Sequence, residues 1–368
     1  MSEIVSENPD IRMIDMELPG PPGPKTAHVY VVCSKGETLV IDSGMDWSAN
    51  RRKLTEELNG SSAGFSTTSL FLSHAHSDHT GLAGIFTENG CPVYMGGKEN
   101  SYYHWLTGGE AEKAAGQMIG EAGIPVSDLR AEEDSAGGMD PGAAGWFGLS
   151  ADQKKKNSAA RKKESGQKGL NLRQALVPPS GLQLDAPVME LEDGDVLRIG
   201  DLEFQTLLAP GHTPGHMMLY LPSEQILFSG DQVLDDSMTI LDNPIFDPDP
   251  LQSYLDSLEK LENLPVRKVF PGHGGLGWNF RERAAEIAAI HGEELKYTMD
   301  AAGMQPGMTA WEMVQTVRKL RGKYPWEKLS AAQKVLAAMD LFTHFACLQR
   351  RGEIAAEKEG GVLRYYPS

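Results

Sequence analysis

Residues 74–79 read His-Ala-His-Ser-Asp-His, three imidazoles and a carboxylate within six positions of a chain that has ten histidines in 368 residues. The short apolar run Leu70-Phe71-Leu72 leads straight into them, so the cluster sits at a strand's end. From Asp78 the pattern turns helical, with Leu82, Ile85 and Phe86 at helical spacing and Gly90 as a stop. Other runs end the same way. Residues 196–208 form two alternating stretches joined at Gly200-Asp201 and lead to Gly211-His212. Gln225 to Phe228 leads to Gly230-Asp231, and Val269-Phe270 leads to Gly272-His273. A hairpin over residues 28–41, with Ser-Lys-Gly as its turn, closes on Asp42. Strands that each deliver a His or Asp are the pattern any fold of this chain has to satisfy.

The chemistry of the cluster points to metal. Four ligands from one loop cannot all serve a single tetrahedral ion that also keeps a position open for substrate, so two ions are the economical solution. Each then needs ligands from elsewhere, and His212, Asp231 and His273 are placed to supply them. A single loop histidine is most often just solvated. Here five of the ten lie in strand-end motifs, while His28, His104, His216, His291 and His344 form no second group of that kind.

Composition excludes several classes. No apolar run approaches the ~20 residues that span a bilayer, and the N-terminus has early acids and no apolar core of a secretory signal, so the expected location is cytoplasmic with no membrane partner. Cys33, Cys91 and Cys347 are widely spaced and read as reduced thiols. A formal charge of −17 repels phosphate backbones and makes nucleic acid a poor partner, although the stretch from Met304 onward carries ten Lys/Arg against six Asp/Glu.

After a strand at Cys91–Met95, residues of about 96–184 are rich in Gly, Ala, Lys and Ser and read as a partly helical insertion; its basic run KKKNSAARKK reads as a solvated face. Helical stretches are expected at Ser48–Leu58, Leu251–Leu261 and Phe280–Ala302. Gly303–Gly307 reads as a linker, followed by helices at about 310–321 and 331–351 and an alternating tail with a Gly-Gly turn. Helices followed by a hairpin suggest a small winged-helix-like domain over 304–368, with a catalytic domain over 1–303. The apolar Leu341, Phe342 and Phe345 suggest a homodimer surface.

The motifs resemble those of metallo-β-lactamase-fold hydrolases. The family's H-x-H-x-D-H appears as His74 to His79, and its later motifs as Gly211-His212-Thr213-Pro214-Gly215-His216, Gly230-Asp231 and Gly272-His273-Gly274. The resemblance covers roughly residues 25–290 apart from the insertion. It implies an αββα sandwich with the metals at one edge. By the same resemblance His74, His76 and His212 hold one ion, Asp78, His79 and His273 hold the other, and Asp231 bridges. His216 is then a packing neighbour, and Asp42 orients a ligand histidine. The cofactors expected are two divalent ions, zinc first, with iron or manganese accepted by the same donors. Two cations would make hydroxide available near neutral pH and stabilise an oxyanion, with Asp78 and Asp231 as the catalytic carboxylates.

Departures narrow the substrate. The cysteines lie outside the motifs, so the zinc ligand set of common β-lactamases is absent. Leu234 stands where the resembling lactonases have tyrosine, and the 42 positions from Asp231 to His273 leave no room for the extra domain of RNA-processing relatives. Glyoxalase-II-like thioesterases and lactamase-like proteins with a winged-helix tail remain. The favoured reading is hydrolysis of a small-molecule ester or thioester. The alternatives are an endoribonuclease that binds RNA through its C-terminal domain, and a lactonase. Trp47, Tyr102, Tyr103 and His104 are candidates to contact substrate, with anchoring of the insertion as the competing role for the Tyr102–Trp105 run.

Overall fold

In the computed structural model the structure describes residues 2–18, 24–60, 64–125, 188–235, 237–242, 244–322, 326–329 and 331–368. Strands β1 (Glu3–Ser6), β2 (Asp10–Glu17), β3 (Thr26–Ser34), β4 (Glu37–Ile41), β5 (Thr68–Leu72), β6 (Val93–Gly96) and β7 (Met189–Leu191) lie side by side in chain order as one sheet. The first three pairings are antiparallel and the last three parallel. A second sheet holds β8 (Val196–Ile199), β9 (Leu202–Leu208), β10 (Met217–Leu221), β11 (Ile226–Gly230) and β12 (Lys268–Pro271), ordered β12-β11-β10-β9-β8.

Period-2 alternation shows what each face meets. On β10, Met217, Leu219 and Leu221 enter a core shared with Tyr30, Val32, Ile41 and Phe71 of the first sheet, while Met218 and Tyr220 enter another. The first core therefore lies between the two sheets. The second lies beneath the helices α6 (Pro250–Leu261) and α7 (Phe280–Met304), which contribute Tyr254, Leu258, Leu261, Phe280 and Ile287. On the far side of the first sheet, α1 (Ser48–Gly60) meets β2, and α3 (Ala83–Glu88) meets β5 and β6. The arrangement is the expected αββα sandwich. A ring such as Phe228, 2% exposed in the inter-sheet core, contributes roughly 1.5–3 kcal/mol by its burial.

The described residues divide into two units, one drawn from Met1–Leu18, Thr26–Ala111 and Pro178–Glu293, the other from Pro19–Lys25, Glu112–Val177 and Glu294–Ser368. In the second, α8 (Ala310–Leu320) starts at a capping box in which Thr309 and Glu312 satisfy each other's backbone N–H. It meets α9 (Ala331–Arg350), and the hairpin of β13 (Ile354–Glu359) and β14 (Val362–Pro367) follows. The Phe345 and Tyr365 rings stack at 3.9 Å and 9°. Leu341, Phe342 and Phe345 are buried within this chain, so they offer no surface to a second copy.

Local structure departs from the sequence pattern at three places. The single helix expected from Asp78 is two short ones, α2 (Ser77–Thr80) and α3. At the break, Leu82 N–H bonds the Gly44 carbonyl, and a Cβ on Gly81 would stand 2.6 Å from both the Asp46 nitrogen and the Ser77 oxygen. The N-terminal stretch, for which no strand is expected, supplies β1 and β2. Strand β10, Met-Met-Leu-Tyr-Leu, shows no polar alternation because both of its faces are buried. The insertion begins with α4 (Gly97–Thr107) and α5 (Glu110–Glu121); its basic run lies outside the described residues. Among the described residues no helix is long and apolar enough to cross a membrane.

Candidate metal centre

Parallel pairing sets the ends of β4 and β5 side by side, and the loops leaving them carry Asp42 and the His74–His79 run. Asp42 adopts a left-handed φ of 61°, which aspartate tolerates better than a branched side chain does. Its carboxylate then serves three donors. Oδ1 accepts from the Ser73 N–H at 2.8 Å, and Oδ2 accepts from the Ser73 hydroxyl at 2.9 Å and from His79 Nδ1 at 2.8 Å. The Ser73 hydroxyl, its own proton given to Asp42, accepts from His74 Nδ1 at 2.9 Å.

The same accounting orients the other rings. His212 Nδ1 donates to the Ile240 carbonyl and His273 Nδ1 to the Thr26 carbonyl, each at 2.7 Å. His74, His79, His212 and His273 thus all turn Nε2 inward, toward one another and, for His79, His212 and His273, toward the Asp231 carboxylate. His74 Nε2 lies 3.2 Å from His212 Nε2 and 3.1 Å from His76 Nδ1, while His79 Nε2 lies 3.3 Å from His273 Nε2. Nitrogen lone pairs facing each other at such distances repel unless a proton or a metal ion lies between them.

At these strand ends two groups of donors that could each hold an ion stand apart, His74 with His76 and His212, and Asp78 with His79 and His273, and a third, His74 with His79 and Asp231, overlaps both; the donor atoms of each lie within 4.8 Å of one another. Asp231 reaches both. Its Oδ2 is 3.2 Å from His273 Nε2 and 3.7 Å from His212 Nε2, and its Oδ1 is 3.5 Å from His79 Nε2. That Oδ1 is buried without a hydrogen-bond partner, a costly condition that a coordinated cation relieves. The donor set therefore fits metal. His216 stands behind it, its Nε2 accepting from the Asp231 N–H at 3.2 Å.

Charge divides the site in two. Burial, with repulsion from His212, holds His76 down to about 3, and burial first of all keeps His74 and His212 below the usual histidine range. Burial also opposes charge on His79 and His273, but there the carboxylates prevail. Asp231, Asp42 and Asp78 raise His79, and Asp231 with Asp78 raises His273 to about 10. Although burial favours the neutral acid, His79 and His273 hold Asp78 ionised, below the ordinary carboxylate range. His76 and Asp78 are half-buried whereas His74, His79, His212, Asp231 and His273 are buried. The open side of the centre is therefore the edge at His76 and Asp78.

Tyr102 is buried, stacks on Trp105 of the same helix and donates to Asp242 Oδ1 at 3.0 Å, which ties α4 to the Asp242 loop. Tyr103 is buried and His104 exposed, and the half-buried Trp47 caps the start of α1, its carbonyl accepting from the Arg51 N–H. What the sequence reading missed is Glu99, fully buried on α4. Its Oε1 accepts from the Ala75 N–H at 2.6 Å, and its Oε2 from the Thr213 hydroxyl and the Gly215 N–H at 2.9 Å each. Burial lifts this carboxyl to about 7 against the pull of those three bonds. The signal was present: Glu99, Tyr102, Tyr103 and Leu106 fall on one buried helical stripe, so an acid occupies an apolar position.

The sequence model of the metallo-beta-lactamase superfamily matches residues 22–273. The chain belongs to that superfamily. Solved structures share the fold over the whole length: a beta-lactamase domain protein from Burkholderia ambifaria has a TM-score of 0.73 at 22% identity, covering 100% of this chain and 93% of that one. A metallo-beta-lactamase family protein from Thermus thermophilus has a TM-score of 0.63 at 22% identity, covering 97% and 98%. Curated relatives match over shorter stretches. The human acyl-coenzyme A thioesterase MBLAC2 is 34% identical over 96 residues, 25% of this chain and 33% of its own. The atrochrysone carboxyl ACP thioesterase of Aspergillus fumigatus is 28% identical over 102 residues, 28% of this chain and 30% of its own. The chain thus spans about a third of the length of these two relatives.

Proposed function

We propose that this chain is a metal-dependent hydrolase that holds two divalent ions and acts on a small acyl thioester or ester. The observation that carries the reading is Asp231, whose orphaned carboxylate oxygen lies between two sets of inward-facing donors. His74, His76 and His212 would hold one ion and Asp78, His79 and His273 the other, with Asp231 shared. When bound, such ions acidify water and polarise the acyl oxygen. The chain's own residues do the rest. Asp42 locks His79 and Ser73 locks His74, and His76 and Asp78 are the half-buried members of the set.

Zinc is the favoured ion, and iron or manganese suits the same nitrogen and oxygen donors. The thioester preference draws on the names of the human and Aspergillus relatives. The three free cysteines are what a reducing, cytoplasmic compartment leaves. The test is a panel of acyl-coenzyme A and acyl-pantetheine thioesters, lactones, phosphodiesters and short RNAs offered to the metal-loaded chain. Thioester turnover that a chelator abolishes is the expected result. RNA cleavage without thioester turnover would overturn the substrate class and favour the endoribonuclease.

A further inference from the structure

Glu99 is a buried carboxylate that, among the described residues, pairs with no Lys or Arg. Its three hydrogen bonds all go to two loops. The Ala75 N–H lies between His74 and His76, and the Thr213 hydroxyl and Gly215 N–H lie just after His212. The three histidines of one donor group thus come from two loops that this side chain ties together. A second observation has the same direction. A Cβ on Gly215 would stand 2.1 Å from the Glu99 nitrogen and 2.6 Å from its Cα, so the His212 loop is seated directly on the backbone of α4. One turn further on, Tyr102 of the same helix donates to Asp242, whose N–H bonds the Gly211 carbonyl beside His212.

We infer that Glu99 is a positioning residue for the His74, His76 and His212 donor group, and that α4, the first helix of the insertion, sets the geometry and hence the metal affinity of that group alone. The inference rests on the two-ion reading above. Neutral glutamine cannot replace this carboxylate. It offers one acceptor oxygen where the loops present donors to both, so its amide N–H₂ must face a backbone N–H. The group of Asp78, His79 and His273 makes none of these contacts and is held instead by Asp42 and Thr26.

The experiment titrates the metal-free chain with Zn²⁺ against a chromophoric chelator, and with Co²⁺ followed by its visible absorption, comparing wild type with Glu99→Gln and Thr213→Val. Wild type taking up two ions, with Glu99→Gln weakening one of them by about 10–100-fold and leaving the other within about twofold, is the result expected. Thr213→Val removes one of the three bonds and gives a smaller shift at the same ion, which decides the matter if Glu99→Gln does not fold. A clasp that only supports the fold would lower the melting temperature of the metal-free chain and leave both affinities, and the Co²⁺ spectrum, unchanged. That outcome, or an equal weakening of both ions, overturns the inference while the two-ion reading stands. A folded wild-type chain that takes up no ion overturns that reading, and the inference falls with it.

Discussion

His79 Nε2 and His273 Nε2 face each other across 3.3 Å, each ring having already given its Nδ1 proton to a fixed acceptor, Asp42 in one case and the Thr26 carbonyl in the other. Only a proton or a metal ion between them relieves the repulsion. In the metal-free chain Asp231 and Asp78 outweigh burial and raise His273 to about 10, with His79 raised as well. The other donor group is the opposite case, with His76 held down to about 3 and His74 and His212 also lowered.

The sign of the pH effect follows. Raised groups hold protons at neutral pH and must release them when an ion binds, whereas lowered groups have none to release. Loading the metal-free chain at pH 7 is expected to release about one to two protons, all with the ion at Asp78, His79 and His273. Calorimetry in buffers of differing ionisation enthalpy measures this directly. The affinity of that ion rises as pH climbs from 7 toward 10, and that of the other stays flat.

Asp42→Asn keeps an oxygen for the Ser73 N–H and tolerates the left-handed backbone, but it puts an N–H₂ where His79 Nδ1 now donates. The ring then has to carry its proton on Nε2, which faces the centre. The expected outcome is a loss of about 10–100-fold in affinity for the ion at Asp78, His79 and His273, with a smaller loss at the other because the Ser73 hydroxyl that orients His74 loses the same acceptor, and with the melting temperature of the metal-free chain much less affected. Metal titration and thermal unfolding on the same sample check it.

Gly272→Ala acts at the centre itself. A Cβ there would lie 2.1 Å from Asp231 Oδ1 and 2.8 Å from His79 Cε1. Displacing the shared carboxylate is expected to lower thioester turnover by about 100-fold or more, equivalent to ~3 kcal/mol of transition-state stabilisation. Steady-state kinetics on metal-saturated protein measures it.

Tyr102→Phe separates the two roles considered for the aromatic run. The hydroxyl donates to Asp242 and the ring is buried, so an anchoring role predicts a loss of ~0.5–1.5 kcal/mol in stability and a Michaelis constant for thioester within about twofold of wild type. Denaturant unfolding and kinetics together distinguish anchoring from substrate contact.

Much of the centre was legible because its side chains are written at strand ends. His74, His76, Asp78, His79, His212, Asp231 and His273 each follow a short apolar run, and the structure brings them together where those runs end. The sandwich was legible for the same reason, and through alternation on β8 and β9. What escaped were elements and residues whose identity depends on tertiary burial. Strand β10 has two buried faces and so carries no alternation, and the acids of the N-terminal stretch obscure β1 and β2. Glu99 escaped because a glutamate reads as a solvated helix residue until the loops that bond it are in place. The break between α2 and α3 likewise depends on the distant Gly44 carbonyl.

The central claim is that Asp231 joins two donor groups into one two-ion centre, and metal content tests it most directly. The 368-residue chain, loaded with zinc and freed of excess by gel filtration, should carry about two ions per chain, and Asp231→Ala should carry one or none with its circular dichroism unchanged. A wild-type chain that is folded by the same criterion and retains no zinc would contradict the account.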